Sequence, residues 1–480
     1  MSDVGLTVAV CGAGAMGLGI AQVAAQAGHP VIVFDPFAAA LQRGRELFAT
    51  NVTKDGVRGR LREPAEAVIE RVVWTDVVDG LASAGLVIEA IVEDKAVKSA
   101  LFDTIEAVVA DTAMLMSNTS SLSVTELAAG RRVPGRFGGM HFFNPAPVMK
   151  LVEVVAGAST DSAVADRIVT LATAWGKVAV PVRDVPGFIV NRVARPYYAE
   201  GFRAWGENVA APEAIDALLR GAGFRMGPLE LADMIGHDVN YAVARSVYDA
   251  YFGQTQFVPQ PAQSALVAAG WYGRKVGQGV YTYDGTNLTA PEPMAAPTAS
   301  LIVAGHALDA GFTRLAGSAS NGDVPDGMVD VDGILITSVD GRMAATLAEE
   351  LGRPVGVIDW FGEQATAIGV SGSNPDAVRA AASLASRAGL PIHAVADRPG
   401  HVVLRTLAQL ANAAGAAVRD QVANADGVDL AMRYGANYPF GPLAWAKEFG
   451  HARLRIVLNR IASGTGDGIY AASEYFRRTQ

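Results

Sequence analysis

His141 and Glu153 stand twelve residues apart in the run HFFNPAPVMKLVEV (141–154), with Asn144 and two prolines between them. That separation is too long for one helical face. It suits two strands, or a strand and a loop, folding back on each other. A carboxylate set against an imidazole fixes its tautomer and supports the cation formed when the ring takes a proton. The chemistry on offer is general-base catalysis. Taken alone, His141 reads more readily as a core histidine with a satisfied hydrogen bond, so the surrounding elements decide.

The elements that must position such a pair begin at the N-terminus. LTVAVC (6–11) reads as a buried parallel strand, GAGAMGLG follows, and IAQVAAQAG continues at helical spacing to Gly28. VIVFD is the next strand and closes on Asp35. Gly12, Gly14 and Gly17 form G-x-G-x-x-G in strand–turn–helix context, with Met16 inside the loop. The glycines permit a tight turn and close backbone approach, and the helix N-terminus then faces a pyrophosphate. Asp35 can accept both ribose hydroxyls and would repel a 2′-phosphate, which favours NAD over NADP.

Residues 38–72 read as helical and carry a basic cluster, Lys54, Arg58, Arg60 and Arg62, which is either a solvated face or an anion site. GLVIEAI (85–91) reads as a strand, VEDKAVKSALFDTIEAVV as a helix, and AMLMSNTSSL (113–122) as a strand running into a polar turn. Doubly wound sheets place ligands at such strand ends, where Glu93, Lys98, Asn118, Ser120 and His141 fall. LVEVVAG, a helix from Ser162 to Trp175 and VAVPV complete this region near Arg183. PGFIVNRVARPYYAEGFRAW, APEAIDALLRGAG and GPLELADMIGHDVNYAVARSVYDAYF then read as helices. GTNLTAPEPMAAPTAS (285–300) is a Pro/Ala/Thr-rich linker.

Beyond the linker the first half returns in degenerate form. RDVPGFIVNR (183–192) comes back as ADRPGHVVLR (396–405), and GAGFRMGPLELAD (221–233) as GANYPFGPLAWAK (435–447). AMLMSNTSSL is echoed by GILITSVDGR (333–342), and HFFN by DWFG (359–362). The second copy has no glycine loop. Asp359 replaces His141, Gly362 replaces Asn144, Thr366 faces Glu153, and Leu404 replaces Asn191. Keeping PG and GP while losing the polar set separates scaffold from chemistry. The expected architecture is α/β. A Rossmann-like NAD-binding domain (1–184) precedes an all-α domain (185–284), the linker (285–300), a small degenerate α/β remnant (301–396) and a second all-α domain (397–480).

Composition bounds the class. A chain of 480 residues holds roughly two to four domains, and half its residues are hydrophobic. The net charge of −9 argues against nucleic acid as a partner. Cys11, the single cysteine, precludes an intrachain disulfide and suits a reducing compartment. It reads as a buried structural thiol. No apolar run approaches the roughly 20 residues of a spanning helix, and MSDVGLTVAV lacks the basic region of a signal peptide. The expectation is a cytoplasmic chain that binds neither membrane nor metal.

In order and spacing, GAGAMGLGIA, SNTSSL, HFFNPAPVMKLVEV and DVPGFIVNR are similar to the motifs of the L-3-hydroxyacyl-CoA dehydrogenases. The likeness covers the first 285 residues. The long form with its degraded second copy resembles the 3-hydroxyadipyl-CoA dehydrogenases of phenylacetate breakdown, through NRVARPYY, GFRMGPLELADMIGHDVN and NYPFGPLAW. The resemblance implies NAD-dependent oxidation of a 3-hydroxyacyl-CoA, with His141 as base and Glu153 orienting it. Ser120 and Asn191 would contact the substrate's hydroxyl or thioester oxygen. Glu93, Lys98 and Asn144 would line the nicotinamide side, with Asn118 also among the cofactor contacts. Asp35 would hold the adenine ribose, and Lys54 is offered for CoA. A hydroxybutyryl-CoA substrate is the nearer alternative; a non-catalytic NAD-binding sensor is the more distant one. Helical domains of this family commonly pair with a copy of themselves. The second copy therefore implies an intramolecular pseudo-dimer, and further homo-oligomerisation is compatible with it.

Overall fold

The computed structural model describes residues 5–285, 292–295, 304–305, 310–316 and 324–478. Most of the linker at 285–300 lies outside these residues. The chain divides into two compact units: Met1–Arg192 with Asp420–Ala436, and Val193–Arg419 with Asn437–Gln480.

The first unit is built on eight strands: β1 Val8–Cys11, β2 Val31–Phe34, β3 Val72–Thr75, β4 Leu86–Glu89, β5 Met114–Ser117, β6 Phe137–Phe142, β7 Leu151–Ala156 and β8 Val178–Arg183. Their order is β3-β2-β1-β4-β5-β6-β7-β8. The first six run parallel in the order of a doubly wound dinucleotide-binding sheet. β6 and β7 then pair antiparallel, and β8 runs parallel to β7. Strands β1, β2, β4 and β5 are buried along their whole length, which is why they read as unbroken apolar runs. Within the stretch read as helical, 38–72, lie the helices Ala38–Val57 and Ala65–Glu70; the strand β3, which sequence reading passed over, begins at Val72. VVWT lies at the sheet edge and is only half buried, so its pattern is weak.

One segment of this unit comes from far along the chain. The helix Ala425–Gly435 packs on β7 and β8. A Cβ on Gly435 would stand 2.5 Å from Leu151 and 2.9 Å from Val190 side-chain carbons, and one on Gly427 would stand 3.1 Å from Val180. These glycines let the helix approach the sheet closely. Arg192 pairs with Asp420, and the Arg183 amide donates to the Val422 carbonyl at 2.9 Å, fixing the start of the segment.

The second unit holds helices and a smaller sheet: β9 Ala304–Gly305, β10 Met328–Val331, β11 Ile334–Ser338, β12 Val355–Ile358, β13 Ile368–Gly372 and β14 Ile392–Ala394. Its order is β14-β13-β12-β11-β10-β9. From β11 to β14 the pairings run parallel, antiparallel, parallel, as they do from β5 to β8. Helix Val403–Arg419 packs on helix Arg195–Gly206. At that contact buried Glu200 meets Arg398 at 3.1 Å, Arg405 at 2.9 Å and the Tyr470 hydroxyl at 2.6 Å. Burial raises the Glu200 carboxyl, but Arg405, Arg203 and Arg398 outweigh it and hold the group below the ordinary carboxylate range. Helix Pro212–Gly221 packs on β13, with Leu218 against Gly369 and Gly221 against Ala367.

The strand registers correct one correspondence. His141 pairs across the sheet with Glu153. In the smaller sheet Ile358 pairs with Val370, and the Asp359 amide donates to the Gly369 carbonyl. Gly369, not Thr366, therefore occupies the place of Glu153. The antiparallel ladder, rather than linear spacing from DWFG, sets the match.

Candidate active site

The glycine loop joins β1 to the helix Ala15–Gln26, and its three glycines meet three different demands. Gly12 has φ +115°, and a Cβ there would lie 2.6 Å from the Ala90 carbonyl oxygen. A Cβ on Gly17 would strike the Gly12 oxygen at 1.9 Å, so the helix could not seat on the strand. Gly14 has open space where a Cβ would be. It opens the helix, whose N-terminus has no side-chain cap and no acid in its first turn. Amides and space are thus presented together, as a pyrophosphate requires. Asp35, at the end of β2, accepts from the Ala13 and Phe37 amides, each at 3.0 Å. Its carboxylate is fixed beside the loop. These residues fit a dinucleotide.

Cys11, on β1, is buried, and burial with the Glu89 and Asp35 carboxylates pushes its thiol far above the ordinary range. It is inert.

A polar network runs along the ends of β4 and β5. Glu89 is fully buried and accepts from the Lys98 ammonium at 2.5 Å, the Ser117 hydroxyl at 2.7 Å and the Ile91 amide at 2.7 Å. Lys98 also meets Glu93 at 3.2 Å. Lys98 is 1% exposed. Glu93 accepts from the Thr119 hydroxyl at 2.6 Å, the Ser120 amide at 2.9 Å, the Ser121 amide at 3.1 Å and the Ser121 hydroxyl at 2.9 Å. Burial pushes its carboxyl up, yet Thr119, Lys98, Ser120 and Ser121 together bring it below the ordinary carboxylate range. Asn118 accepts from the Phe142 amide at 2.8 Å and so ties the end of β5 to β6.

His141 sits on β6, 6% exposed, directly across the ladder from Glu153 on β7. Its Nδ1 lies 2.7 Å from Glu153 Oε2. The other oxygen, Oε1, accepts from the Ile189 and Val190 amides at 3.0 and 3.1 Å. Those amides follow the turn at Gly187 and Phe188, whose φ values are +76° and +46°. One carboxylate thus anchors both the imidazole and the start of the next helix. The rings of Phe143 and Phe188 flank His141, with centroids 4.5 and 5.7 Å away. With Nδ1–H donated to Glu153, Nε2 keeps its lone pair and can accept a proton. The protonated ring would sit against a buried carboxylate.

The remaining candidates are placed as follows. Asn191 donates to the Ser120 carbonyl at a long 3.4 Å, bringing those two residues together. The Ser120 hydroxyl is 3.4 Å from Glu93. Met16 is in the first turn of the loop helix and half buried, while Asn144 is exposed just beyond β6. Lys54 is exposed in the last turn of its helix. Of its basic neighbours, Arg60 is paired with Asp55 at 3.3 Å. Sequence reading passed over Glu89, Thr119, Ser121 and Phe188. Glu89 had a signal: a lone carboxylate closing an apolar strand beside the glycine loop must find partners.

The NAD binding domain of 3-hydroxyacyl-CoA dehydrogenase matches residues 7–185. The C-terminal domain of 3-hydroxyacyl-CoA dehydrogenase matches two stretches, 187–283 and 400–479. The chain is 41% identical over 475 residues to 3-hydroxyadipyl-CoA dehydrogenase of Escherichia coli K12, covering 98% of this chain and 97% of that one. A crystal structure of 3-hydroxybutyryl-CoA dehydrogenase from Escherichia coli K12 superposes with a TM-score of 0.91 at 40% identity, covering 98% of each. The (S)-3-hydroxybutyryl-CoA dehydrogenase of Ralstonia eutropha is 38% identical with a TM-score of 0.56, covering 58% of this chain and 99% of its own.

Proposed function

Because the chain belongs to the 3-hydroxyacyl-CoA dehydrogenase family, we propose that its substrate is (S)-3-hydroxyadipyl-CoA and that His141 is the base which takes its C3 hydroxyl proton. The enzyme is an NAD-dependent 3-hydroxyacyl-CoA dehydrogenase. Bound at the glycine loop and Asp35, NAD+ supplies the hydride acceptor. His141 Nε2 takes the proton of the C3 hydroxyl. Glu153 holds the ring and stabilises the imidazolium. Ser120 and Asn191 orient the oxygen that becomes the ketone, Glu93, Lys98 and Asn144 line the nicotinamide side, and Asn118 is a further cofactor contact. Lys54 is assigned to the CoA moiety. A positioned base contributes roughly 10²–10⁴-fold. The observation that carries the assignment is the 2.7 Å bond from Nδ1 to Glu153, which leaves Nε2 as the proton acceptor.

The substrate assignment rests on the full-length likeness to a 3-hydroxyadipyl-CoA dehydrogenase. A second reading, 3-hydroxybutyryl-CoA, is favoured by the solved structure of that name, which superposes over nearly the whole chain. Values of kcat/KM for hydroxybutyryl-, hydroxyhexanoyl- and hydroxyadipyl-CoA decide between them. An adipyl value below the butyryl one overturns the first reading.

The second half is read as a degenerate copy that completes an intramolecular pseudo-dimer. Two matches to one C-terminal domain support this. So does the reciprocal packing: helix Ala425–Gly435 lies on β7–β8 in one unit, and helix Pro212–Gly221 lies on β13 in the other. One NAD per chain follows. Among the described residues no helix is long and apolar enough to cross a membrane, which fits the proposed cytoplasmic location.

A further inference from the structure

Lys177 follows the helix Ser162–Ala174 after a turn at Trp175 and Gly176, and β8 begins at the next residue. Its amide donates to the Ala172 carbonyl at 3.0 Å. The residue is buried, 8% exposed. Its ammonium donates to two backbone carbonyls, that of Ala146 and that of Met149, the latter at 2.9 Å. Burial pulls the group down from the ordinary lysine range to about 8, and no carboxylate opposes that pull. An ammonium is costly to take out of water unless it is paired. Here its partners are neutral, and both belong to one loop.

That loop, residues 143–150, joins β6 to β7 and so lies between His141 and Glu153. It turns on the Pro145 carbonyl, which accepts from the Val148 and Met149 amides at 3.0 and 2.9 Å. Its end is tied at the Lys150 carbonyl, which accepts from the Val178 amide at 2.8 Å. Its middle lies against the helix Ala15–Gln26 that the glycine loop leads into. A Cβ on Gly19 would stand 3.1 Å from Ala146 Cβ and 3.1 Å from Pro147 Cδ. One short segment therefore touches the cofactor helix and continues from the strand of His141. Asn144, exposed near its start, stands two residues before the Ala146 carbonyl that Lys177 holds.

We propose that Lys177 is a positioning residue for the nicotinamide end of the cofactor: by holding the Ala146 and Met149 carbonyls it fixes the loop against the cofactor helix and keeps Asn144 in place. Without the ammonium, two carbonyls lose a donor and the loop loses its tie to the start of β8. The route through Asn144 rests on the reading of that residue given above; the bracing of the loop does not.

The test uses the full-length chain, its Lys177→Met, Lys177→Gln and Asn144→Ala variants, and the double variant Lys177→Met with Asn144→Ala. Dissociation constants for NADH and for ADP-ribose are measured on each by calorimetry. ADP-ribose has the adenine, both riboses and the pyrophosphate but no nicotinamide, so its affinity reports on the glycine loop and Asp35 alone. Lys177→Met is expected to weaken NADH about 10-fold while ADP-ribose stays within about 2-fold of the parent. Lys177→Gln keeps an N–H donor on a shorter stem, so it should lose less; it is read the same way if Lys177→Met does not fold. The double variant should lose no more than the greater single loss, because both changes act on one contact. If Asn144→Ala has no effect while Lys177→Met weakens NADH selectively, the reading of Asn144 fails and the bracing role stands. Equal loss of NADH and ADP-ribose, or a lower Tm with both affinities preserved, makes Lys177 a structural residue only and overturns the proposal. Separate losses that add in the double variant overturn it too.

Discussion

Glu153 bonds His141 with one carboxylate oxygen and the Ile189 and Val190 amides with the other. The antiparallel register places the two residues opposite each other. The second unit keeps the structural half of this arrangement and drops the chemical half. There Asp359, at the place of His141, accepts directly from the Val402, Val403 and Leu404 amides. Gly369 stands across from it, where a Cβ would come within 3.2 Å of the Asp359 side chain. A carboxylate at the helix start recurs in both units; the imidazole beside it, present in the first, is the group proposed for proton transfer.

His141→Ala is therefore expected to lower kcat by at least about 10³-fold while leaving NADH affinity nearly intact, since the glycine loop and Asp35 are untouched. Stopped-flow turnover with fluorescence titration of NADH checks this. Near-normal kcat in a folded variant would rule out His141 as the base.

Glu153→Gln has a specific consequence. A carboxamide has one acceptor where the carboxylate has two. If its oxygen serves the Ile189 and Val190 amides, its NH2 faces His141 Nδ1 and forces the wrong tautomer. If it turns round, two buried amides lose their acceptor at about 1–3 kcal/mol. The expected result is a kcat loss smaller than that of His141→Ala, accompanied by a lower Tm. A loss as large as the histidine change, with an ordered ring, contradicts the orienting role.

Asp35→Ala should narrow the preference for NAD over NADP by weakening NAD. The carboxylate sits at the end of β2, held by the Ala13 and Phe37 amides, and would repel a 2′-phosphate. Dissociation constants for NADH and NADPH test it. An unchanged ratio shows that Asp35 does not reach the ribose.

Acid stability should depend on His401. Its ring is fully buried against the Ser371 hydroxyl, with Asp397 3.9 Å away. Burial, with the Arg398 guanidinium, pushes the imidazole down to about 3, against a weaker opposite pull from Asp340. An unfolded histidine titrates near 6.5. Between these values the unfolded chain binds a proton that the folded chain refuses. Stability is thus complete above about pH 6.5 and falls toward pH 3 by at most about 1.4 kcal/mol per pH unit. His401 has φ +53°, which asparagine tolerates. His401→Asn should flatten the slope in urea titrations from pH 7 to 4.5. An identical slope assigns the acid sensitivity elsewhere.

What the sequence revealed followed from local physics. Buried parallel strands are continuous apolar runs, and the glycine loop sits between one such run and a helix, so β1, β2 and the cofactor loop were legible. β3 was not, because an edge strand buries one face and VVWT follows a helix without punctuation. The His141–Glu153 partnership was legible as a pairing of types, but its register was not, and linear spacing put Thr366 where the ladder puts Gly369. That Lys98 is buried was not legible, because burial cannot be seen in a charged helix. The placement of residues 425–435 on β7 and β8 is a contact across more than half the chain, and nothing local encodes it.

That helix carries the last prediction. Truncation after Tyr283 removes residues 425–435 and with them the cover of β7 and β8. Gly435 brings its backbone against Leu151, Val190 and Phe143, and Gly427 does the same at Val180. Leu151 and Val180 are almost fully buried in the full chain. Each such side chain left in water forfeits about 1.5–3 kcal/mol, and an exposed apolar sheet face is an association surface. Arg192 also loses its ion pair with Asp420. The proposed catalytic pair His141 and Glu153, the glycine loop and Asp35 all lie before the cut. The expected product retains these residues but aggregates, or pairs with a second truncated chain that covers the same face. Light scattering and sedimentation of the truncated chain check this. A truncated protein that stays monomeric, soluble and as stable as the parent would refute both the covering role of 425–435 and the pseudo-dimer built on it.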